Sequence, residues 1–323
     1  MAWPSDERLW EHHLEPACRE YAEFCRVLAG GSRPERIELL VRNRRVRAAA
    51  AEYLEGLDVG FHEAAYGDVW LRDTGPVFVV EADGELSALR FQFNGWGGKY
   101  HFPDDDGVAR AVASIAGRRL REVPLVCEGG ALDVDGQGTC LTTANCVLHT
   151  NRNPNADAAH VEELFAEFLG IDRVIWLAGC LAGDHTDGHV DTLARFVRPG
   201  TVACMTPSSL AEPNREVLRA LHRQLQRARD ARGRQLEVVE VPSPGLVRDD
   251  GGRPAPASYL NFYIGDHVVL VPVYGTPYDE RALAVIQSCF ADRRVVGVPS
   301  LHVLSGGGSW HCVTRQEPRL PEE

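Results

Sequence analysis

The sequence predicts an α/β fold with modules repeated around a centre, and two observations carry that reading. Apolar runs of strand length alternate with amphipathic helical stretches along all 323 residues. A Gly-rich or polar stretch also leads into or adjoins a strand five times, over 67–80, 128–143, 183–197, 256–273 and 306–314. In a radial arrangement, polar loops of different modules converge on one central site. A doubly wound sheet is the alternative; it prefers more regular βα spacing and fewer antiparallel hairpins. Periodicity alone leaves both open.

Helical periodicity is clearest over about 8–29, 106–118, 157–169, 212–230 and 279–291. In 157–169, Val161, Leu164, Phe165, Phe168 and Leu169 share a face, with Glu162, Glu163 and Glu167 largely opposite. Asp157 is the expected cap and Gly170 the expected stop. Strands are expected at 37–41, 77–80, 86–94, 139–143, 174–176, 192–197, 202–205, 236–241, 260–264, 268–273, 295–298 and 312–314. No composition break marks a linker, so 1–323 reads as one domain. The Pro/Gly segment 242–256 reads as a surface loop.

With 34 basic and 46 acidic side chains, the net charge is −12. That balance argues against nucleic acid or an anionic membrane as partner and is compatible with a small cationic substrate. The basic run Arg42 to Arg47 reads as a solvated helix start or turn. No stretch approaches the ~18 apolar residues of a membrane span. The N-terminus lacks a basic region followed by an apolar one. Nine scattered cysteines without a CxxC spacing fit a reducing cytoplasm better than a disulfide framework.

Four segments can carry chemistry. In Gly306-Gly307-Gly308-Ser309-Trp310-His311-Cys312, glycines permit close backbone approach, and Cys312, at the start of an expected short strand, is either a positioned nucleophile or a buried small residue. In 183–191, His189 and Asp191 are two apart, so on an extended backbone both point the same way, as an acid/base beside an anchoring carboxylate. His185 and His189 are spaced i, i+4, but the stretch lacks the His-Glu-x-x-His helix of zinc proteases, so no metal is expected. Asp73 and Glu128 each sit at a Gly-marked turn, where a capping residue or an exposed acid is the plain reading. Together, one thiol, one imidazole and three carboxylates on separate loops suit covalent attack on a planar cation. Two carboxylates can grip a guanidinium through its N–H fork, and no metal or organic cofactor is required. The glycine loops 95–98 and 306–308 match neither GxxxxGKS/T nor GxGxxG.

Seven ordered blocks carry a family resemblance: WLRDTGP (70–76), FNGWGGKY (93–100), EGGALDVDGQGT (128–139), TNRNP (150–154), TDGHVDTLARF (186–196), ASYLNFYI (257–264) and GGGSWHCVT (306–314). The chain resembles the agmatine deiminases of the guanidine-modifying superfamily. The resemblance implies a five-bladed α/β-propeller of the pentein type, and hydrolysis of a guanidino group to a ureido group with release of ammonia. It implies Cys312 as nucleophile, His189 as general acid and base, Asp73 and Asp191 as holders of the guanidinium, and Glu128 as orienter of His189 or a substrate contact. It also sets Trp70, Trp96, His185 and Gly308 along the substrate pocket. Agmatine, converted to N-carbamoylputrescine in polyamine metabolism, is the substrate expected. Free or peptidyl arginine is the enzymatic alternative, and a guanidinium-binding module without turnover is the other; binding alone needs no nucleophile, which speaks against the latter.

The chain departs from the family pattern twice. Met1-Ala2-Trp3-Pro4 starts inside a region the family precedes with a further stretch, so a missing first strand is expected to weaken one module. His185 stands where many members carry an acid, which leaves the distal end of the substrate open. Symmetric dimers are common among such enzymes, and a homodimer is the expected assembly.

Overall fold

The computed structural model describes residues 1–31, 33–210 and 212–320. Its strands form five separate sheets. The first pairs β1 (Ile37–Val41) with β2 (Val59–Glu63) in parallel. The second holds β3 (Val77–Val80), β4 (Leu86–Gln92) and β5 (Arg119–Val126). The third holds β6 (Asp133–Val134), β7 (Thr139–Thr143) and β8 (Arg173–Leu177). The fourth holds β9 (Ala194–Arg198), β10 (Thr201–Thr206) and β11 (Glu237–Pro242). The fifth holds β12 (Tyr263–Ile264), β13 (Val268–Val273) and β14 (Arg294–Pro299).

One pattern recurs. In each three-stranded sheet the middle strand is antiparallel to the strand before it and parallel to the strand after it. Parallel pairing needs a crossover, and a helix supplies it each time: Arg44–Tyr53, Asp105–Ala116, Ala158–Leu169, Arg215–Arg227 and Asp279–Cys289. The middle strands are buried almost throughout, which is why they read as unbroken apolar runs. The crossover helices are one-sided: Leu218, Leu221 and Leu225 are the buried face of the fourth. The Asp157 side chain caps His160 N at 2.9 Å, and Gly170 ends that helix in the left-handed conformation, as expected.

Some expectations fail for physical reasons. The basic run at 42–47 opens the helix Arg44–Tyr53, but the length of that helix was not foreseen. Strand β5 was missed because its Arg and Glu side chains and Pro124 sit on a sheet edge, where alternation with solvent dilutes the apolar signal. Strands β2 and β6 were missed too; the latter is two residues long. The segment 260–264 pairs only at Tyr263–Ile264. No strand forms at 312–314, which is a turn and an irregular residue. His189 lies outside any strand and Val190–Thr192 is a 3-10 turn, so simple alternation does not orient Asp191.

Residues 1–3 run beside β1, with Ala2 bridging Leu40 and Trp3 N donating to Leu40 O at 3.0 Å. The helix Leu14–Ala29 then packs an aromatic layer against the C-terminal loop. Phe24 stacks on Trp310 with centroids 4.8 Å apart, and Trp310 is fully buried. Burial of that indole anchors the loop that ends in Cys312. Among the described residues, no helix is long and apolar enough to cross a membrane.

Candidate active site

Four loops that enter sheets each bring a polar residue to one place. Asp73 precedes β3, Glu128 precedes β6, His189 and Asp191 precede β9, and Asn261 precedes β12. Cys312 comes from the loop after β14. Its Sγ lies 3.6 Å from Asp191 Oδ2 and accepts from Asn261 Nδ2 at 3.1 Å. Asn261 Oδ1 accepts from His311 N at 3.1 Å and from Cys312 N at 3.3 Å, so one amide sets both the thiol and its backbone. Burial pushes the Cys312 thiol well above its usual range, and the charges of Asp191 and Asp73 push the same way. The thiol is therefore the resting form, and a cation beside it would favour the thiolate.

Gly130 shows how tightly the groups converge. A Cβ built there would lie 2.4 Å from His189 Nδ1, 3.0 Å from Asp73 Oδ1 and 3.1 Å from Asp191 Oδ2. Only a glycine lets three functional side chains share that space. Gly308 does the same beside the thiol, where a Cβ would meet Trp70 at 2.7 Å and Cys312 Sγ at 3.1 Å.

Both oxygens of Asp73 are held, Oδ1 by Gly130 N at 2.9 Å and Oδ2 by Trp96 Nε1 at 2.9 Å. Trp96 is left-handed, with φ 54°, unusual for a bulky residue. The Asn94 side chain supports that turn by accepting from Gly97 N. Asp191 is held by His311, whose Nδ1 donates to Oδ2 at 2.7 Å, while Oδ1 is buried without a partner. Burial pushes the Asp191 carboxyl up to about 6. Burial, with the guanidinium charges of Arg195, Arg72 and Arg315, holds His311 well below its ordinary value, so it is neutral.

His189 is fully buried, and neither ring nitrogen has a hydrogen-bond partner. Nδ1 is 3.9 Å from Asp73 Oδ1, and Nε2 is 3.7 Å from Glu128 Oε2. Burial disfavours the imidazolium, but Asp73, Cys146 and Glu128 outweigh it and hold His189 well above its usual value. Glu128 feels the same burial, yet His189 and Arg152 keep its carboxyl below the ordinary range. Arg152 Nε donates to both Glu128 oxygens at 2.9 and 3.0 Å. Its Nη1 donates to Asp187 Oδ2 at 2.7 Å, and its Nη2 to Thr186 O at 2.9 Å. Asp187 is held at about 2; burial opposes this, but Lys99, Arg152 and Asn151 prevail.

The remaining expected residues sit around this centre. Trp70 is buried, donates to Asp68 at 2.9 Å and stacks on Trp10 at 6.2 Å. His185 is exposed, with Nδ1 2.7 Å from Tyr100 Oη. It lines a cavity of about 800 Å³ with Trp10 and Gly307, and none of Cys312, His189, Asp73 and Asp191 lines that cavity. His185 and His189 do not gather metal-ligand atoms; among the described residues the buried candidate is Glu128, Cys146 and His189, within 4.8 Å of one another. Glu128 there already serves Arg152. Sequence reasoning missed Asn261, Arg152 and His311. The first two lie in the blocks ASYLNFYI and TNRNP, and His311 adjoins Cys312, but no spacing rule points an amide at a thiol 51 residues away.

Fold and centre together define a class: mixed α/β chains of repeated strand–helix–strand units whose loops gather a thiol, an imidazole and carboxylates. The chain belongs to the Porphyromonas-type peptidyl-arginine deiminase family, whose model it matches over residues 1–318. It is 36% identical to the agmatine deiminase of Ectopseudomonas mendocina (strain ymp) over 341 aligned positions, covering 98% of this chain and 92% of the relative. Its structure is similar to the agmatine deiminase of Enterococcus faecalis, with TM-score 0.91 and 31% identity over 99% of this chain and 92% of that one. It is also similar to a Cys-to-Ser variant of the C. Jejuni agmatine deiminase with substrate bound, with TM-score 0.87 and 28% identity over 97% and 90%.

Proposed function

We propose that this chain hydrolyses the guanidino group of agmatine to N-carbamoylputrescine and ammonia through an amidino-cysteine. The observation that carries the reading is a pair of buried carboxylates facing one point. Asp73 and Asp191 each bring an oxygen to about 3 Å from the position marked by Gly130, and Asp191 Oδ1 is buried without a partner. Buried carboxylate oxygens left open this way call for a cation with several N–H donors. A planar guanidinium supplies them.

Its arrival between Asp73 and Asp191 adds the positive charge that favours the Cys312 thiolate. Sulfur attacks the guanidinium carbon, forming a C–S bond and a tetrahedral adduct. His189, held as imidazolium, gives its proton to the departing nitrogen, and ammonia leaves as the C–N bond breaks. Neutral His189 then takes a proton from water, and the hydroxide attacks the amidino carbon; as the C–S bond breaks to return the thiolate, the new hydroxyl gives its proton to the released ammonia and becomes the ureido carbonyl. Glu128, anchored by Arg152, lies 3.7 Å from His189 Nε2 and favours its imidazolium form. Trp70, Trp96 and Gly308 line the pocket.

The five sheets are read as blades of one α/β-propeller of the pentein type, with 1–323 as a single catalytic domain. The recurring crossover, and the supply of site residues from loops ahead of β3, β6, β9 and β12, support this. All nine cysteines are free, which supports a reducing cytoplasm. One observation favours a second substrate reading: the exposed His185, paired with Tyr100, lies beside Gly307 of the cysteine loop, and another guanidino compound such as arginine would bring a different group to it.

Ammonia release by the purified chain tests the proposal, with agmatine and arginine as substrates and Cys312→Ala as control. Release from agmatine, lost in the control, is expected. Turnover of arginine instead moves the substrate assignment to the second reading, and folded protein silent on both refutes the proposed reaction on these substrates.

A further inference from the structure

A separate cavity of about 460 Å³ is lined by Arg72, Arg195, Arg315 and His311, together with Gly129 and Asp133. Three guanidinium groups therefore face one carboxylate. That carboxylate is spent: Asp133 Oδ2 accepts from Arg195 Nε, and Oδ1 accepts from Phe196 N at 2.7 Å. Arg195 is further satisfied by Leu260 O at 3.1 Å and Phe262 O at 2.9 Å.

Arg72 and Arg315 have no such partner. Arg72 is 3% exposed and donates only to neutral oxygens, His311 O at 3.1 Å and Thr314 Oγ1 at 3.3 Å. Arg315 is half-buried; its Nη2 donates to Arg72 O, while its Nε is shielded from solvent with no partner. Among the described residues, no carboxylate lies within ion-pair distance of either. Burial, reinforced for Arg72 by Arg195 and for Arg315 by Arg72, depresses both groups below the ordinary arginine value. Buried charges in proteins are ordinarily paired, and here the cavity stands where the missing charge belongs.

We propose that this cavity binds a small oxyanion, a carboxylate or a phosphate, between the guanidinium groups of Arg72 and Arg315. Two guanidinium groups present N–H forks that match the paired oxygens of such an anion, and the volume exceeds that of a single halide. The site is tied to the catalytic loop without sharing its reacting groups. Arg72 N donates to Cys312 O at 3.0 Å, Arg72 Nε holds the carbonyl of His311, and Asp73 is the next residue. An anion there would brace the turn that presents the thiol.

Calorimetric titration of the full chain in low-salt Tris tests the proposal, with potassium phosphate and potassium acetate as probes and potassium chloride at matched ionic strength as control. Saturable binding of phosphate or acetate at millimolar concentration or below is expected, with the tighter of the two naming the source. Arg315→Gln is expected to weaken it about tenfold or more, and Arg315→Lys to fall between. No saturable binding of either anion to the wild-type chain overturns the proposal, whether or not the variants fold. Wild-type affinity in a folded Arg315→Gln chain overturns it as well.

Discussion

Asn261 is the most informative residue to change, because it acts on the thiol and on the backbone at once. In Asn261→Ala, Cys312 N loses its acceptor, while His311 N keeps Asn261 O at 3.0 Å. One buried N–H is thus orphaned, at a cost of about 1–3 kcal/mol, read as a fall of a few degrees in melting temperature. The thiolate also loses a donor 3.1 Å away, and loss of one preorganised donor lowers kcat about 10²-fold. Asn261→Asp separates the two effects. It keeps an acceptor for the backbone but sets a negative charge about 3.1 Å from Sγ. At an effective dielectric of about 20, two unit charges at that distance repel by about 5 kcal/mol. The thiolate becomes harder to form, so the rising limb of activity against pH moves to higher pH. Steady-state ammonia release and thermal melting measure both. The expected order of activity at neutral pH is wild type, then Asn261→Ala, then Asn261→Asp. An Asn261→Asp enzyme as active as Asn261→Ala, or more so, refutes the electrostatic part of the reasoning.

Three further perturbations have definite signs. Gly130→Ala places a methyl 2.4 Å from His189 Nδ1; overpacking costs about 1–3 kcal/mol, and ammonia release is expected to fall about 100-fold or more with the misplacement. Glu128→Gln removes a charge that raises His189, so the limb of the kcat profile that needs imidazolium moves to lower pH; a profile unchanged from wild type contradicts the pairing. The buried Asp105 carboxyl is pushed up to about 7 by burial, against about 3.9 unfolded. Its folded form thus binds a proton that the unfolded chain has lost, so stability falls as pH rises from about 4 to about 7. Asp105→Asn is expected to gain up to about 4 kcal/mol at pH 8 relative to its effect at pH 4, measured by melting at both values.

Residue chemistry and local periodicity determined much by themselves. Helix 157–169 with its Asp157 cap and Gly170 stop was legible because capping and amphipathicity act over a few neighbouring residues. The middle strands β7, β10 and β13 were legible because burial on both faces demands unbroken apolar runs. The ordered blocks brought Asp73, Glu128, His189, Asp191 and Cys312 to notice as a set. Only the tertiary structure decided how they meet. Strand β5 depends on pairing with β4, so local pattern under-reads it, and the 3-10 turn at Val190–Thr192 breaks the alternation expected to orient Asp191. Asn261 and Arg152 are ordinary polar residues until folding sets them 3.1 Å from Sγ and 2.9 Å from Glu128. The guanidinium groups of Arg72 and Arg315 become conspicuous only once folding sets them at one cavity without a carboxylate partner. Hydrogen bonds and ion pairs act over a few ångströms of space, and the chain distance between their partners leaves no periodic trace for a sequence to carry.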